Sequence, residues 1–279
     1  MKNNLTRYLL AILILFFFQN DVFADEFNFD VSEINISDNG NVIKANQGVA
    51  TAKGNDIIIE AEKFEYNRVS SVLLAINGNV LLKQNNIKIK GDRVIYDKNN
   101  SQINASGNVI ISDLTQNVVI KTNDVIYNEI DQKITSGTAT TINDDLGNII
   151  TSSDFIYTLN DNLIKLNNVK IIGSENDIIQ IKKAYLNLLT KKTIGKNISI
   201  DFNNNNFGTE NEPRLKGNAV SIDQNISTIS KGIFTTCKKN DDCPPWEFLA
   251  KEIKHDKKKK TIYYKNAWLK IYDVPVLYF

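Results

Sequence analysis

A glycine returns about every thirty residues along this chain, at Gly48, Gly78, Gly107 and Gly137, with Asn167 standing in once before Gly195. The intervals are 30, 29, 30, 30 and 28 residues. A tyrosine series keeps the same period out of phase: Tyr66, Tyr96, Tyr127, Tyr157 and Tyr185, spaced 30, 31, 30 and 28. Two registers sharing one period mean a repeat architecture, because one such unit cannot bury its apolar face alone and has to stack on its neighbours. The functional question then moves from isolated reactive side chains to extended surfaces.

Each repeat reads as β structure. Gly78-Asn79-Val80-Leu81-Leu82, Gly107-Asn108-Val109-Ile110-Ile111 and Asp124-Val125-Ile126-Tyr127 are short β-branched or aromatic runs bounded by Asn, Asp, Gly and Ser. Glycine before each strand, replaced once by Asn, fits a backbone position that needs positive φ. One unit then holds two hairpin-linked strands of roughly 7–9 residues plus turns, about 25–30 Å per strand. No stretch after residue 24 carries helical periodicity, so the expectation is an all-β fold. Asn203 to Asn206 lie in a polar stretch running to Arg214, which reads as a long loop interrupting the repeats.

The first 24 residues read as targeting. Lys2 and Arg7 precede the apolar run Leu9 to Phe18, too short to span a bilayer at about 20 residues, and Val22-Phe23-Ala24 offers a cleavage point before Asp25. A secretory signal is expected, with an uncleaved anchor as the alternative. Of 33 basic and 32 acidic side chains, loss of Lys2, Arg7 and Asp21 leaves equal numbers of each. That balance disfavours nucleic acid as a partner, since a phosphate-tracking surface needs a basic excess. The only cysteines, Cys237 and Cys243, are disulfide candidates compatible with an exported, oxidising compartment.

Residues for catalysis or for a cofactor or metal are sparse. The one histidine, His255, stands beside Asp256 and Lys257 to Lys260, where a turn is expected. Asp92, Asp124 and Asp154 recur at one repeat position before a strand and read as turn punctuation. No catalytic residue, metal or cofactor is assigned. The lysine run reads as a solvated hairpin tip, with contact to anionic phosphate groups as the sharper alternative. Apolar pairs alternate onto one strand face: Phe64 with Tyr66, Val94 with Tyr96, Val125 with Tyr127 and Phe155 with Tyr157, while Ile95, Ile126 and Ile156 point the other way. Core packing accounts for most of this, but an elongated structure with an open seam would leave a trough along those residues suited to long acyl chains.

Gly91-Asp92-Arg93-Val94-Ile95-Tyr96-Asp97 and Asn123-Asp124-Val125-Ile126-Tyr127-Asn128, with the intervening Gly-Asn-Val, resemble the OstA-like domain of lipopolysaccharide transport proteins. Ser230-Lys231-Gly232-Ile233-Phe234-Thr235-Thr236-Cys237, Pro244-Pro245-Trp246, Thr261-Ile262-Tyr263-Tyr264-Lys265-Asn266-Ala267 and Val274-Pro275-Val276-Leu277-Tyr278-Phe279 are similar, in order and spacing, to the stretch joining periplasmic domain to barrel in the LptD family of outer-membrane lipopolysaccharide assembly proteins. The resemblance implies an elongated, V-shaped β jelly roll of ~30-residue hairpin repeats over residues 25–229, after a signal peptide at 1–24. A cysteine-containing segment at 230–279 would lead to a barrel that these residues do not include. The eight residues of the apolar pairs become lipid-binding candidates. Implied partners are lipopolysaccharide, a periplasmic bridge jelly-roll protein joined by edge-strand addition, and, through the barrel, an outer-membrane lipoprotein plug. The expected location is the periplasm, attached to the outer membrane where a barrel follows. Cys237 matches a family position that ties domain to barrel, so a local bridge to Cys243 and an interdomain bridge both stay open. The other readings are a free-standing periplasmic bridge protein and a secreted β-solenoid acting on polysaccharide or as an adhesin.

Overall fold

The computed structural model describes residues 26–54, 56–145, 147–173, 176–203, 210–239 and 245–279; the signal segment and Cys243 fall outside them. Among the described residues nineteen strands form one sheet. They are β1 (Phe27–Ser37), β2 (Val42–Ala52), β3 (Ile57–Asn67), β4 (Val72–Leu82), β5 (Ile87–Asp97), β6 (Gln102–Asp113), β7 (Val118–Asn128), β8 (Lys133–Ser136), β9 (Thr140–Asn143) and β10 (Ile149–Ser152). β11 (Asp154–Thr158), β12 (Leu163–Ile172), β13 (Ile178–Asn187), β14 (Lys192–Asp201), β15 (Arg214–Ile222), β16 (Ile226–Thr235), β17 (Trp246–Asp256), β18 (Thr261–Ile271) and β19 (Val274–Tyr278) follow. The sheet is an antiparallel meander in which β1 to β7 and β12 to β19 each pair with the next strand in sequence. β8 with β9, and β10 with β11, act as two strands broken at mid-length, their halves pairing with each other and with β7 and β12. Among the described residues β1 pairs only with β2, and β19 only with β18, so both are sheet edges.

The long strands share a break in their alternation. In β3 the buried residues are Ile57, Ile59 and Ala61, then Phe64 and Tyr66, with the exposed doublet Glu62-Lys63 between. β5 repeats this around Asp92-Arg93 and β13 around Lys182-Lys183. In a straight strand such a slip would turn the second half inside out. The backbone instead kinks there: Asn77, Asn108, Asn168 and Asn197 on the intervening strands lie at φ of 53°, 49°, 49° and 56°. Aligned kinks in neighbouring strands make a crease across the sheet.

Folding at that crease brings the two halves of each strand face to face. Phe27 shares a cross-strand row with Ala52, at the opposite end of the strands from Tyr66. A straight strand would hold those ends about 30 Å apart, yet the rings of Phe27 and Tyr66 are 5.0 Å apart, and those of Phe29 and Phe64 5.9 Å. Phe27 also reaches Tyr96 on β5, at 5.6 Å. The sheet supplies both walls of its own core.

Several expectations are corrected. The long strands run to 10–12 residues where roughly 7–9 were expected, because each continues through the crease. Gly48, Gly78, Gly107 and Gly195 lie within strands and Gly137 between β8 and β9; positive φ is kept at Gly48 (158°) and Gly107 (76°) and elsewhere falls on nearby asparagines such as Asn77 and Asn197, while Gly78 and Gly195 are there for space, since a Cβ would stand 2.8 Å from a Val94 methyl and 2.5 Å from an Ile181 methyl. Tyr185 departs from its series: it is 39% exposed, and Leu186 takes the inward position. Asp92 and Asp124 lie mid-strand at the crease, and Asp154 opens β11. His255 belongs to β17, its ring 5.7 Å from that of Phe202. The polar stretch before Arg214 breaks the sequence period without breaking the sheet, as β14 and β15 still pair directly.

Candidate functional site

The eight apolar candidates converge on one wall of the interior. Phe64, Tyr66, Val94, Tyr96, Val125, Tyr127, Phe155 and Tyr157 are each at most 3% exposed. The opposite arm contributes Ile59, Val80, Ile89, Ile111 and Ile120. Ile126 and Ile156 point outward, 45% and 37% exposed. The two arms are closed on one another, so these residues form a packed interior and not an open trough.

Tyrosine occupies the last inward position of β3, β5, β7 and β11, and its hydroxyl explains the choice: the ring is buried while the polar tip reaches the turns at the rim. Tyr96 Oη donates to Glu129 Oε2 at 2.9 Å and accepts from Lys98 Nζ at 3.0 Å. Tyr127 Oη accepts from Gln132 Nε2 at 3.1 Å. Burial pushes the phenols of Tyr96, Tyr127 and Tyr157 upward, Tyr127 to about 12, and the hydrogen-bonded carboxylates Glu129 and Asp113 add to the effect at Tyr96 and Tyr157.

The free ends of the two arms meet along a seam that sequence reasoning did not identify. Tyr157 Oη donates to Asp113 Oδ2 at 2.5 Å, from the far end of β11 to the near end of β6. Asp113 Oδ1 accepts the amides of Thr115 and Gln116 at 2.9 and 2.8 Å, which fixes the carboxylate. Beside it, Lys191 Nζ lies 3.0 Å from Asp145 Oδ1 and 3.4 Å from the Gln116 carbonyl oxygen, crossing between turns on opposite arms. The signal for this latch is slight: a lone Asp ending a strand whose other inward residues are apolar.

The crease presents a different chemistry on its outer side. In the N-terminal half its asparagines bond carboxylates: Asn46 to Glu33 at 2.9 Å, Asn77 to Glu62 at 2.9 Å and Asn108 to Asp92 at 2.8 Å. An open cleft of about 370 Å³ there includes Glu60, Glu62 and Lys90. A larger cleft of about 560 Å³ lies over β12 to β16.

Cys237 is half-buried, with Sγ 3.6 Å from the Trp246 carbonyl oxygen. Its partner candidate Cys243 is outside the described residues. Lys257 to Lys260 form the exposed turn between β17 and β18, where Asp256 Oδ1 accepts the Lys259 amide at 2.9 Å. Among the described residues no group of three or more His, Cys, Asp or Glu could hold a metal ion, and no helix is long and apolar enough to cross a membrane.

Comparison with models of protein families and with characterised proteins returns no match. Among solved structures, the WD40 domain of SCAP from fission yeast aligns over 88% of this chain and 91% of that one, at 9% identity and a TM-score of 0.14, too low a likeness to bear on fold or function.

Proposed function

We propose that this chain is the periplasmic lipopolysaccharide-binding conduit domain of an outer-membrane lipopolysaccharide assembly protein, folded as an OstA-like, V-shaped β jelly roll. The observation that carries the reading is the continuous apolar interior between two arms of one creased sheet, bounded by a polar rim. Acyl chains would lie between the arms while the sugar portion stays in water. The arms are closed, so lipid has to part them. Apolar surface exposed by parting is covered again by the acyl chain, whose dozen or so methylenes are worth on the order of 10 kcal/mol at ~0.8 kcal/mol each. The exchange is near balance, as a conduit requires, and it needs no reacting residue.

The edges support the partner assignments. β1 leaves one row of main-chain groups unpaired among the described residues and shows Ile34 and Ile36 at 53% and 55% exposure. A bridge jelly roll could add a strand there, with main-chain hydrogen bonds supplying affinity. The outer-membrane lipoprotein would be met through a following barrel, towards which the exposed Val276, Leu277, Tyr278 and Phe279 lead. A free-standing bridge protein is the second reading. The uniformly antiparallel pairing is not that of a parallel β-helix acting on polysaccharide.

The test is a photoreactive residue at Tyr127 or Phe155, compared with the outward Ile126 and Ile156, in cells exporting lipopolysaccharide. Crosslinks to lipopolysaccharide at the inward pair alone are expected. Absence of inward crosslinks while export proceeds would refute the conduit.

A further inference from the structure

The cleft over β12 to β16 is basic in a way the rest of the crease is not. Lys170, Lys182, Lys216 and Lys231 line it, along with asparagine and serine side chains, and no carboxylate does. Asp201, at the end of β14, is the sole acidic residue in those five strands. The doublets Glu62-Lys63 and Asp92-Arg93 pair each cation with a carboxylate, whereas the corresponding doublet on β13 is Lys182-Lys183.

Two local costs accompany this arrangement. Lys183 is directly opposite Lys196, and like charges in that position destabilise a sheet. Lys231 lies at φ 50°, a left-handed conformation that Asn168 and Asn197 occupy more readily on β12 and β14. A polyvalent anion in the cleft would offset the accumulated positive charge of its lysines. The rows also match such a ligand: Lys170, Gln180, Ser199 and Lys216 succeed one another across β12 to β15, one strand spacing of about 4.8 Å apart, and Asn168, Asn197 and Asn218 flank them with amide donors. Lysine ammonium groups bind phosphate as point charges that several residues can share.

We propose that this crease cleft is a binding site for clustered phosphate groups, with Lys182, Lys216 and Lys231 as its principal contacts. Its lysines are on the outer face, with the core residues Val169, Ile181 and Ile198 at its floor, and the inference does not depend on acyl chains entering the interior. Its ligand could be the phosphorylated disaccharide headgroup of a glycolipid or a soluble polyphosphate.

Calorimetric titration of the full chain with inorganic tripolyphosphate, and separately with a deacylated glucosamine disaccharide bisphosphate, distinguishes the two. Tighter binding of the disaccharide assigns the site to a lipid headgroup, and tighter binding of tripolyphosphate to a soluble polyphosphate. In either case the K182Q/K216Q/K231Q variant, whose three positions are exposed, is expected to keep the wild-type melting curve and weaken binding at least ~10-fold, since three charge-assisted phosphate contacts are lost. K63Q/K90Q, at the other end of the crease, is expected to change binding less than ~2-fold. Failure of both probes to bind at low salt, or equal binding by the triple variant, would overturn the site. Neither result bears on crosslinking at Tyr127, which reports the interior.

Discussion

The Tyr157–Asp113 hydrogen bond makes the closure of the arms measurable. Tyr157→Phe removes one hydroxyl and leaves the ring, which is 1% exposed, in place. The bond is 2.5 Å long and ends on a carboxylate that is itself 5% exposed. Hydrogen bonds to charged groups contribute about 1.5–3 kcal/mol, and an orphaned buried acceptor adds to the loss. Asp113 keeps its two turn amides through Oδ1, so the carboxylate stays fixed and cannot swing into water to recover the loss. A destabilisation of about 2 kcal/mol follows, or roughly 4–8 °C in Tm for a chain of this size. Denaturant unfolding with an unchanged slope would measure it. Tyr127→Phe is the control: its hydroxyl accepts a bond from the Gln132 amide at the rim and does not cross the seam, and its loss is expected to cost less than about 1 kcal/mol. If Tyr157→Phe were within about 0.5 kcal/mol of wild type, or no worse than Tyr127→Phe, the seam would not be latched by this pair. Amide exchange adds a second readout, because an unlatched seam should speed exchange at the ends of β6 and β11 while leaving the crease unchanged.

Alkali should unfold the protein from the inner wall outward. Unfolded tyrosine ionises near 10 and folded Tyr127 at about 12, so its contribution is intact below pH 10 and lost as the pH rises towards 12, about 2–3 kcal/mol from this residue alone, with Tyr96 and Tyr157 shifted in the same direction. Urea midpoints should fall steadily between pH 10 and 12, and a flat profile would contradict the burial of these phenols. Within the glycine series, Gly195→Ala should cost about 1–3 kcal/mol, because its Cβ would stand 2.9 Å from the Lys183 carbonyl oxygen, whereas Gly137→Ala, with nothing within 4 Å, should be within about 0.5 kcal/mol of wild type. Equal effects at the two sites would remove the crease as the reason for the repeat.

The strands and their inward faces were legible because alternation has period two and turn residues punctuate it. Val94 with Tyr96 and Phe155 with Tyr157 could be placed on one face from spacing alone. The crease was not read, although the polar doublets Glu62-Lys63, Asp92-Arg93 and Lys182-Lys183 mark it. A doublet inside an alternating run looks like a turn when each strand is expected to be short, and that expectation also put the glycines and Asp92 before strands. Tyr185 shows the limit of counting residues: a period kept to within two residues cannot fix a side-chain face that inverts with one. The seam lay beyond local pattern, since Asp113 and Tyr157 are 44 residues apart and meet only when both halves of the sheet fold over the crease.

The crease also constrains how an interior of this kind can open. Each long strand runs through both arms, and β8 to β11 stay within one arm each, so parting the arms at the seam rotates rigid half-strands about the kinks and leaves the cross-strand ladders within each arm intact. The contacts given up are the rim hydrogen bonds and the apolar facing of the arms. Acyl chains could replace the second but not the first. The polar latch at Tyr157, Asp113 and Lys191 is therefore the part of the closed state that lipid cannot compensate, and weakening it should favour opening without unravelling the sheet. If Tyr157→Phe raised crosslinking at Phe155 while the β-sheet circular dichroism stayed unchanged, hinge opening at the crease would account for both. Increased crosslinking accompanied by loss of sheet signal would instead mean that the arms separate only by unfolding, and a conduit built on a hinge would have to be abandoned.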